Sequence, residues 1–174
     1  MKEETALIDT ILQRRSIRKF TDTPLTQEEI TQILRAGMTA PSARNARPWR
    51  FIVVDQRPLM EEMRKVHPYS SPLDTAPLAI VVCGAPAGAD WYDDYWQQDC
   101  GACTENMLLA AHAMGLGGVW MGIYPDQQRR DSFRQLLALP QEVEAFCVLA
   151  FGHPAEEGRR PDCYDPALIH YNRW

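Results

Sequence analysis

Apolar residues recur at helical spacing over residues 5–13, where Ala6, Leu7, Ile8, Ile11 and Leu12 form one stripe, and again from Leu25 through Ile30, Ile33, Leu34 and Met38. The second of these predicted helices marks its own start. Thr26 can cap it, Glu29 three residues on completes a capping box, and Leu25 and Ile30 sit where a hydrophobic staple would close. Gly37 and Pro41 mark its exit. Residues 50–55 (RFIVVD) and 78–83 (LAIVVC) then read as buried strands, separated by a helix that opens at Pro58, runs to Val66 and turns Leu59, Met60 and Met63 inward. Residues 67–75, with Pro68, Ser70, Ser71 and Pro72, read as a loop.

The most apolar helix spans residues 99–114, where Ala102, Cys103, Met107, Leu108, Ala111 and Met114 leave few polar positions, the pattern of a central, buried helix. It stops at Gly115-Leu116-Gly117-Gly118, after which residues 119–123 (VWMGI) continue as an extended segment. A helix over residues 126–139 uses Phe133, Leu136 and Leu137, and residues 143–151 (VEAFCVLAF) form a further strand. Residues 90–98 (DWYDDYWQQ) set four aromatics among acids, and core or interface packing is favoured there over a flap on a flat ligand. The polar tail from Ala155 ends on Ile169-His170-Tyr171-Asn172-Arg173-Trp174, aromatic residues that gain little unless a partner subunit covers them.

With 174 residues, 45% of them hydrophobic, the chain has enough apolar material for one domain over residues 1–174, or for half of an intimate dimer. No run approaches the roughly 18 apolar residues that span a bilayer, and the acidic start Met1-Lys2-Glu3-Glu4 is no signal peptide. A cytoplasmic protein is expected. The net charge of -5 argues against a nucleic-acid binder, and five cysteines in such a chain argue against a disulfide framework.

Against that acidic background, Arg14-Arg15-Ser16-Ile17-Arg18-Lys19-Phe20 gathers four cations and a hydroxyl into seven residues. Arginine's fork and a serine hydroxyl suit a phosphate. Basic residues after a helix also complement its dipole, so the cluster alone leaves both readings open. Ile17 and Phe20 are expected to anchor it inward. The loop Pro41-Ser42-Ala43-Arg44-Asn45-Ala46-Arg47-Pro48-Trp49 is unusually rich in hydrogen-bonding side chains. Cys100-Gly101-Ala102-Cys103 is a C-x-x-C, but its setting in an apolar helix favours buried packing over a thiol-redox centre, and the histidines show no paired spacing for zinc, so no metal is expected.

Taken in order, RRSIRKF, PSARNARPW, GLGGVWMG and the FGHPAEEG…HYNRW ending resemble the nitroreductase family of flavin mononucleotide (FMN) enzymes. The resemblance runs from end to end. It implies an α+β fold with a central mixed or antiparallel sheet flanked by helices, and a homodimer with a C-terminal arm crossing to the partner and FMN at the interface. It also implies NADH or NADPH as hydride donor and a small-molecule electron acceptor such as a nitroaromatic or quinone.

Carried onto matching positions, the resemblance implies that Arg14, Arg15 and Ser16 lie on the phosphate side and Arg18 at the pyrimidine edge. There a cation stabilises charge gathered on reduction. Pro41, Ser42 and Asn45 match the loop lent to the partner's FMN, and Gly122 and Ile123 match backbone donors to the flavin N5 and O4 edge, with Trp120 beside them. The flavin carries the chemistry, so no catalytic side chain is expected and solvent supplies protons. Three departures stand out. Pro161 and Cys163 occupy places where the family brings basic residues to the phosphate, leaving Arg159 and Arg160 slightly upstream as the nearest cations. Arg47 replaces a frequent glutamine, and the family's helical insertion and the basic residue near Pro72 are both lacking. A flavin-binding protein without turnover, or a thiol-redox protein using Cys100 and Cys103, is the competing reading.

Overall fold

The computed structural model describes residues 2–85, 95–158 and 163–174. Four strands form one antiparallel sheet: β1 (Trp49–Val54), β2 (Leu78–Gly84), β3 (Gly117–Gly122) and β4 (Glu144–Gly152), in the order β1-β2-β4-β3. The inner strands explain the unbroken apolar runs. Along β2, Ala79, Val81 and Cys83 face one core while Leu78, Ile80 and Val82 face the other, and every residue of the strand is buried. A strand covered on both faces has no need of polar alternation.

The helices are α1 (Lys2–Gln13), α2 (Gln27–Met38), α3 (Arg57–Val66), α4 (Trp96–Ala113) and α5 (Gln127–Leu136). On one face α2 and α4 bury Ile33, Cys103 and Met107 against Ile80, Leu149 and Phe151. On the other, α3 and α5 bring Met60, Met63 and Phe133 against Val81, Val119 and Val148. The capping box of α2 forms as expected, Thr26 Oγ1 accepting from the Glu29 N–H at 3.2 Å and the Thr26 N–H reaching the Glu29 carboxylate at 2.7 Å. Asp126 caps α5 in a similar way, by accepting from the Arg129 N–H.

Several boundaries differ from the sequence expectation. Strand β3 begins at Gly117, because Gly117 and Gly118 lie inside the sheet rather than punctuating it. A Cβ on Gly117 would stand 2.8 Å from Ile17, and one on Gly118 2.9 Å from Leu108 and Phe151. Helix α5 stops at Leu136, and Ala138 turns left-handed (φ 50°). The 67–75 and 41–49 loops each contain a 3-10 turn, at Ser71–Asp74 and Ala43–Asn45. Helix α4 buries one stripe, Cys100, Cys103, Thr104, Met107, Leu108 and Ala111, while Leu109, Ala110 and Met114 are only half-buried. The aromatic segment expected over residues 90–98 lies outside the described residues up to 94, and its last part opens α4, with Trp96 packed onto Gly84.

Among the described residues, two apolar surfaces are left uncovered. Leu7, Ile8, Ile11 and Leu12 of α1 are 48–66% exposed, and the tail presents Leu168, Tyr171 and Trp174 almost bare.

Candidate functional site

Residues along an antiparallel pair alternate between those that exchange ladder hydrogen bonds and those whose N–H and C=O both point away from the partner strand. The Ile123 N–H donates to the Phe146 carbonyl at 3.0 Å, which makes that pair a bonded one. Its neighbour Gly122, opposite Cys147, therefore turns its amide outward, and so do Trp120 and Gly118 at two-residue steps. Because β3 is an edge strand, outward means away from the sheet altogether.

The arginine-rich stretch takes up the first part of that edge. The Ile17 N–H donates to Gly118 O at 3.0 Å, and Ser16 bridges Gly118 in parallel. The stretch then departs, held by Glu156, whose carboxylate accepts the Arg18 and Lys19 N–H groups at 2.5 and 3.2 Å, and by a bridge from Phe20 to Pro154. Ile17 and Phe20 are buried, the anchors expected. Among the described residues, no further main chain pairs with β3 at Trp120 or Gly122. A cleft of 460 Å³ lies against this length, with Arg18, His67, Trp120, Gly122, Tyr124 and Arg129 in its walls.

Of the residues singled out from sequence, the structure brings Arg18, Trp120 and Gly122 to this one cleft. Ile123 sits behind it with a buried side chain and an amide given to Phe146. Arg14 and Arg15 part company. The Arg14 Nε bonds Glu105 of α4 at 3.0 Å, whereas Arg15 passes beneath Gly158 into a second cleft of 450 Å³ beside Ile17 and His112. Sequence adjacency concealed this, because neighbours in an extended chain face opposite ways. Arg159 and Arg160 lie outside the described residues.

Pro41, Ser42 and Asn45 line neither cleft. Their loop is unusual in its own right, with Arg44, Asn45 and Arg47 all left-handed at φ 49°, 57° and 49°. Non-glycine residues persist in that region only when the surroundings hold them. Here Ser42 Oγ accepts the Arg47 N–H at 3.0 Å, Asn45 Oδ1 accepts Arg47 Nε at 2.8 Å, and buried Asp99 at the start of α4 accepts the Ala43 N–H at 2.9 Å. Asp99 was not legible as a site residue, since its partner lies 56 positions away.

Two further residues escaped the sequence reading. His67 is buried, and its Nε2 lies 2.9 Å from Gly122 O. Burial holds its pKa below the ordinary 6.5, with the Gly122 carbonyl acting in the opposite direction and the Arg129 charge lowering it further. Arg129 Nη1 reaches the same oxygen, also at 2.9 Å.

The C-x-x-C thiols are inert by environment. Cys100 and Cys103 are buried, and desolvation pushes Cys103 up to about 12 and Cys100 higher still. No group of three or more metal-ligating side chains occurs among the described residues. The thiol-redox reading is therefore set aside. Cys83 and Cys147 are buried too, and Cys163 is exposed. In the native protein a thiol reagent at pH 8 should accordingly titrate one cysteine quickly and four more only after denaturation; rapid modification of Cys100 or Cys103 would contradict their burial.

Comparison with known proteins identifies the family and the fold. The model of the Nitroreductase family matches residues 11–67 and 59–153. A protein of Methanothermobacter thermautotrophicus, provisionally named NADH dehydrogenase/NAD(P)H nitroreductase, is 42% identical over 168 residues, covering 97% of this chain and 87% of its own. A provisionally named nitroreductase of Desulfovibrio desulfuricans, solved in complex with FMN, shares 32% identity with a TM-score of 0.82 over 97% of both chains. An NADPH:FMN oxidoreductase of Vibrio harveyi, solved with NAD+, shares 27% identity with a TM-score of 0.86 over 97% of this chain and 78% of that one.

Proposed function

The chain belongs to the nitroreductase family, and from that premise we propose that the cleft beside β3 is where it works as an FMN-dependent oxidoreductase using NAD(P)H. The observation that carries the reading is the outer edge at Trp120 and Gly122, to which no other main chain among the described residues pairs, facing a cleft that Arg18 enters. When bound, FMN supplies a two-electron carrier that accepts hydride from a nicotinamide and passes it to a second substrate. The chain's own residues bind and orient it. The Gly122 N–H offers a donor to the acceptor-rich edge of a flat ring with no side chain in the way, Trp120 supplies an aromatic wall, and Arg18 places a cation where negative charge is best tolerated.

At the phosphate end the fit is looser. Arg14 and Ser16 are on hand, but Glu105 already pairs with Arg14, so a phosphate must compete for that guanidinium. Arg15, turned into the second cleft, does not contribute in this arrangement. Arg159 and Arg160 are the remaining cations for the phosphate.

The bare apolar faces of α1 and the tail support a homodimer of single-domain protomers, and the rigid, left-handed loop bearing Pro41, Ser42 and Asn45 is the segment presented to the partner's cofactor. The acceptor is a nitroaromatic, quinone or related small molecule. One cleft serving donor and acceptor in turn gives ping-pong kinetics. His67, its ring nitrogens already engaged, is no proton donor to substrate, so protons come from solvent. Among the described residues no helix is long and apolar enough to cross a membrane, and a cytoplasmic location is part of the proposal.

The deciding experiment is a visible spectrum of the purified protein, before and after adding FMN, followed by NADH and NADPH oxidation with menadione and a nitrobenzoate. Yellow protein with turnover is expected. Protein that stays colourless in excess FMN overturns the reading, and yellow protein without turnover reduces it to flavin binding.

A further inference from the structure

Gly122 stands out along the open edge because side chains from two other elements converge on its carbonyl. His67 comes from the segment after α3 and Arg129 from α5, and each places a donor nitrogen 2.9 Å from the oxygen. Both are braced from behind. The Tyr69 N–H donates to His67 Nδ1 at 3.2 Å, which leaves the proton on Nε2 and makes the imidazole a neutral donor toward Gly122. Phe133 closes the ring edge-on, its centroid 6.2 Å away. Arg129 Nη2 pairs with Asp126 at 3.3 Å, and its guanidinium lies 5.5 Å over the Tyr69 ring.

A carbonyl at an exposed sheet edge is adequately solvated by water, so burying a histidine to bind it needs a reason. The reason lies in strand geometry. In an antiparallel strand, a residue's N–H and C=O point to the same side, so fixing the direction of the Gly122 oxygen fixes the direction of its N–H. We propose that His67 and Arg129 are positioning residues that clamp Gly122 by its carbonyl so that its N–H is held toward the ring edge of FMN, each able to hold the glycine in part when the other is missing. The inference rests on the FMN reading above and adds two residues to it.

The test uses the full chain with FMN and compares His67→Leu, Arg129→Met, the double variant and the conservative His67→Gln, whose amide can still donate to the carbonyl. Two readouts do not depend on turnover: the FMN dissociation constant, from quenching of FMN fluorescence, and the hydrogen-exchange rate of the Gly122 amide in the FMN-loaded protein. Each single loss is expected to weaken FMN by about 5-fold, as befits one hydrogen bond. The double variant should lose more than the product of the singles, and Gly122 exchange should rise in parallel. His67→Gln should return both values close to those of the unaltered chain.

A double variant that binds FMN as tightly as the unaltered protein overturns the clamp, as does a His67→Gln chain that behaves like His67→Leu. Should the double variant not fold, Arg129→Met alone decides, because Arg129 is partly exposed and its loss leaves the core intact. Unchanged Gly122 exchange in that variant overturns the proposal. If the unaltered chain itself binds no FMN, the functional reading fails; if it binds FMN and the variants do not differ from it, only the clamp fails.

Discussion

Phe133→Ala is expected to destabilise the protein by about 3–5 kcal/mol, the range for emptying a fully buried aromatic position. At about 2–4 °C per kcal/mol for a chain of this size, the melting temperature should fall by roughly 10 °C. The position has no room for compensation. Phe133 has no exposed surface, and it shares a core with Met60, Met63 and Val148 on the face where α3 and α5 meet the sheet. A shift of only a degree or two by circular dichroism would mean that this face closes around some other residue. Because the same ring packs edge-on against His67, the surviving folded fraction should also hold FMN less firmly, which links a core position to the cleft.

Arg18→Ala is the substitution expected to harm the cleft most. Arg18 is exposed, so solvent screens it, and about a tenfold weaker FMN is the appropriate scale rather than the larger loss of a buried ion pair. The reduction potential of the bound cofactor should fall as well, because the lost cation favoured the more negative, reduced form. Arg18→Lys should recover most of the potential while recovering less of the binding, since it keeps the charge and gives up the fork. A potential unchanged in Arg18→Ala would remove this guanidinium from the ring's pyrimidine edge and shift the assignment to Arg129, the other cation in the cleft.

What could be read from the sequence depended on whether the responsible forces are local. The start of α2 was legible because Thr26 and Glu29 satisfy each other within one turn. Strand β2 was legible because burial on both faces writes itself as an unbroken apolar run. The burial of Cys100 and Cys103 followed from the apolar helix around them. By contrast, Gly117 and Gly118 look like a chain break, and only the close approach of Ile17, Leu108 and Phe151 shows why glycines stand within a strand.

The same distinction runs through the site. The resemblance supplied Arg18 and Gly122, and the fold unites them. Arg14 and Arg15 were grouped because they are adjacent, yet Arg14 turns to Glu105 while Arg15 enters the cleft beside Ile17. His67 carries no motif, and its partner Gly122 lies 55 residues further along. Asp99 was hidden similarly, as its task is to hold a loop that precedes it by more than 50 positions.

The anchoring of the arginine stretch at Gly118 has a consequence for how this gene can vary. From Gly118 to Gly122 the backbone must advance by an even number of residues for the second glycine to present its amide to the cleft. Loss or gain of one codon there would turn the Gly122 amide from the cleft toward β4 and, by the same two-residue period, carry the neighbouring side chains, Trp120 among them, to the opposite face of the sheet. Length changes in steps of two keep the phase, whereas a single extra residue needs a bulge of the kind the sheet already carries at Val82 and Cys83.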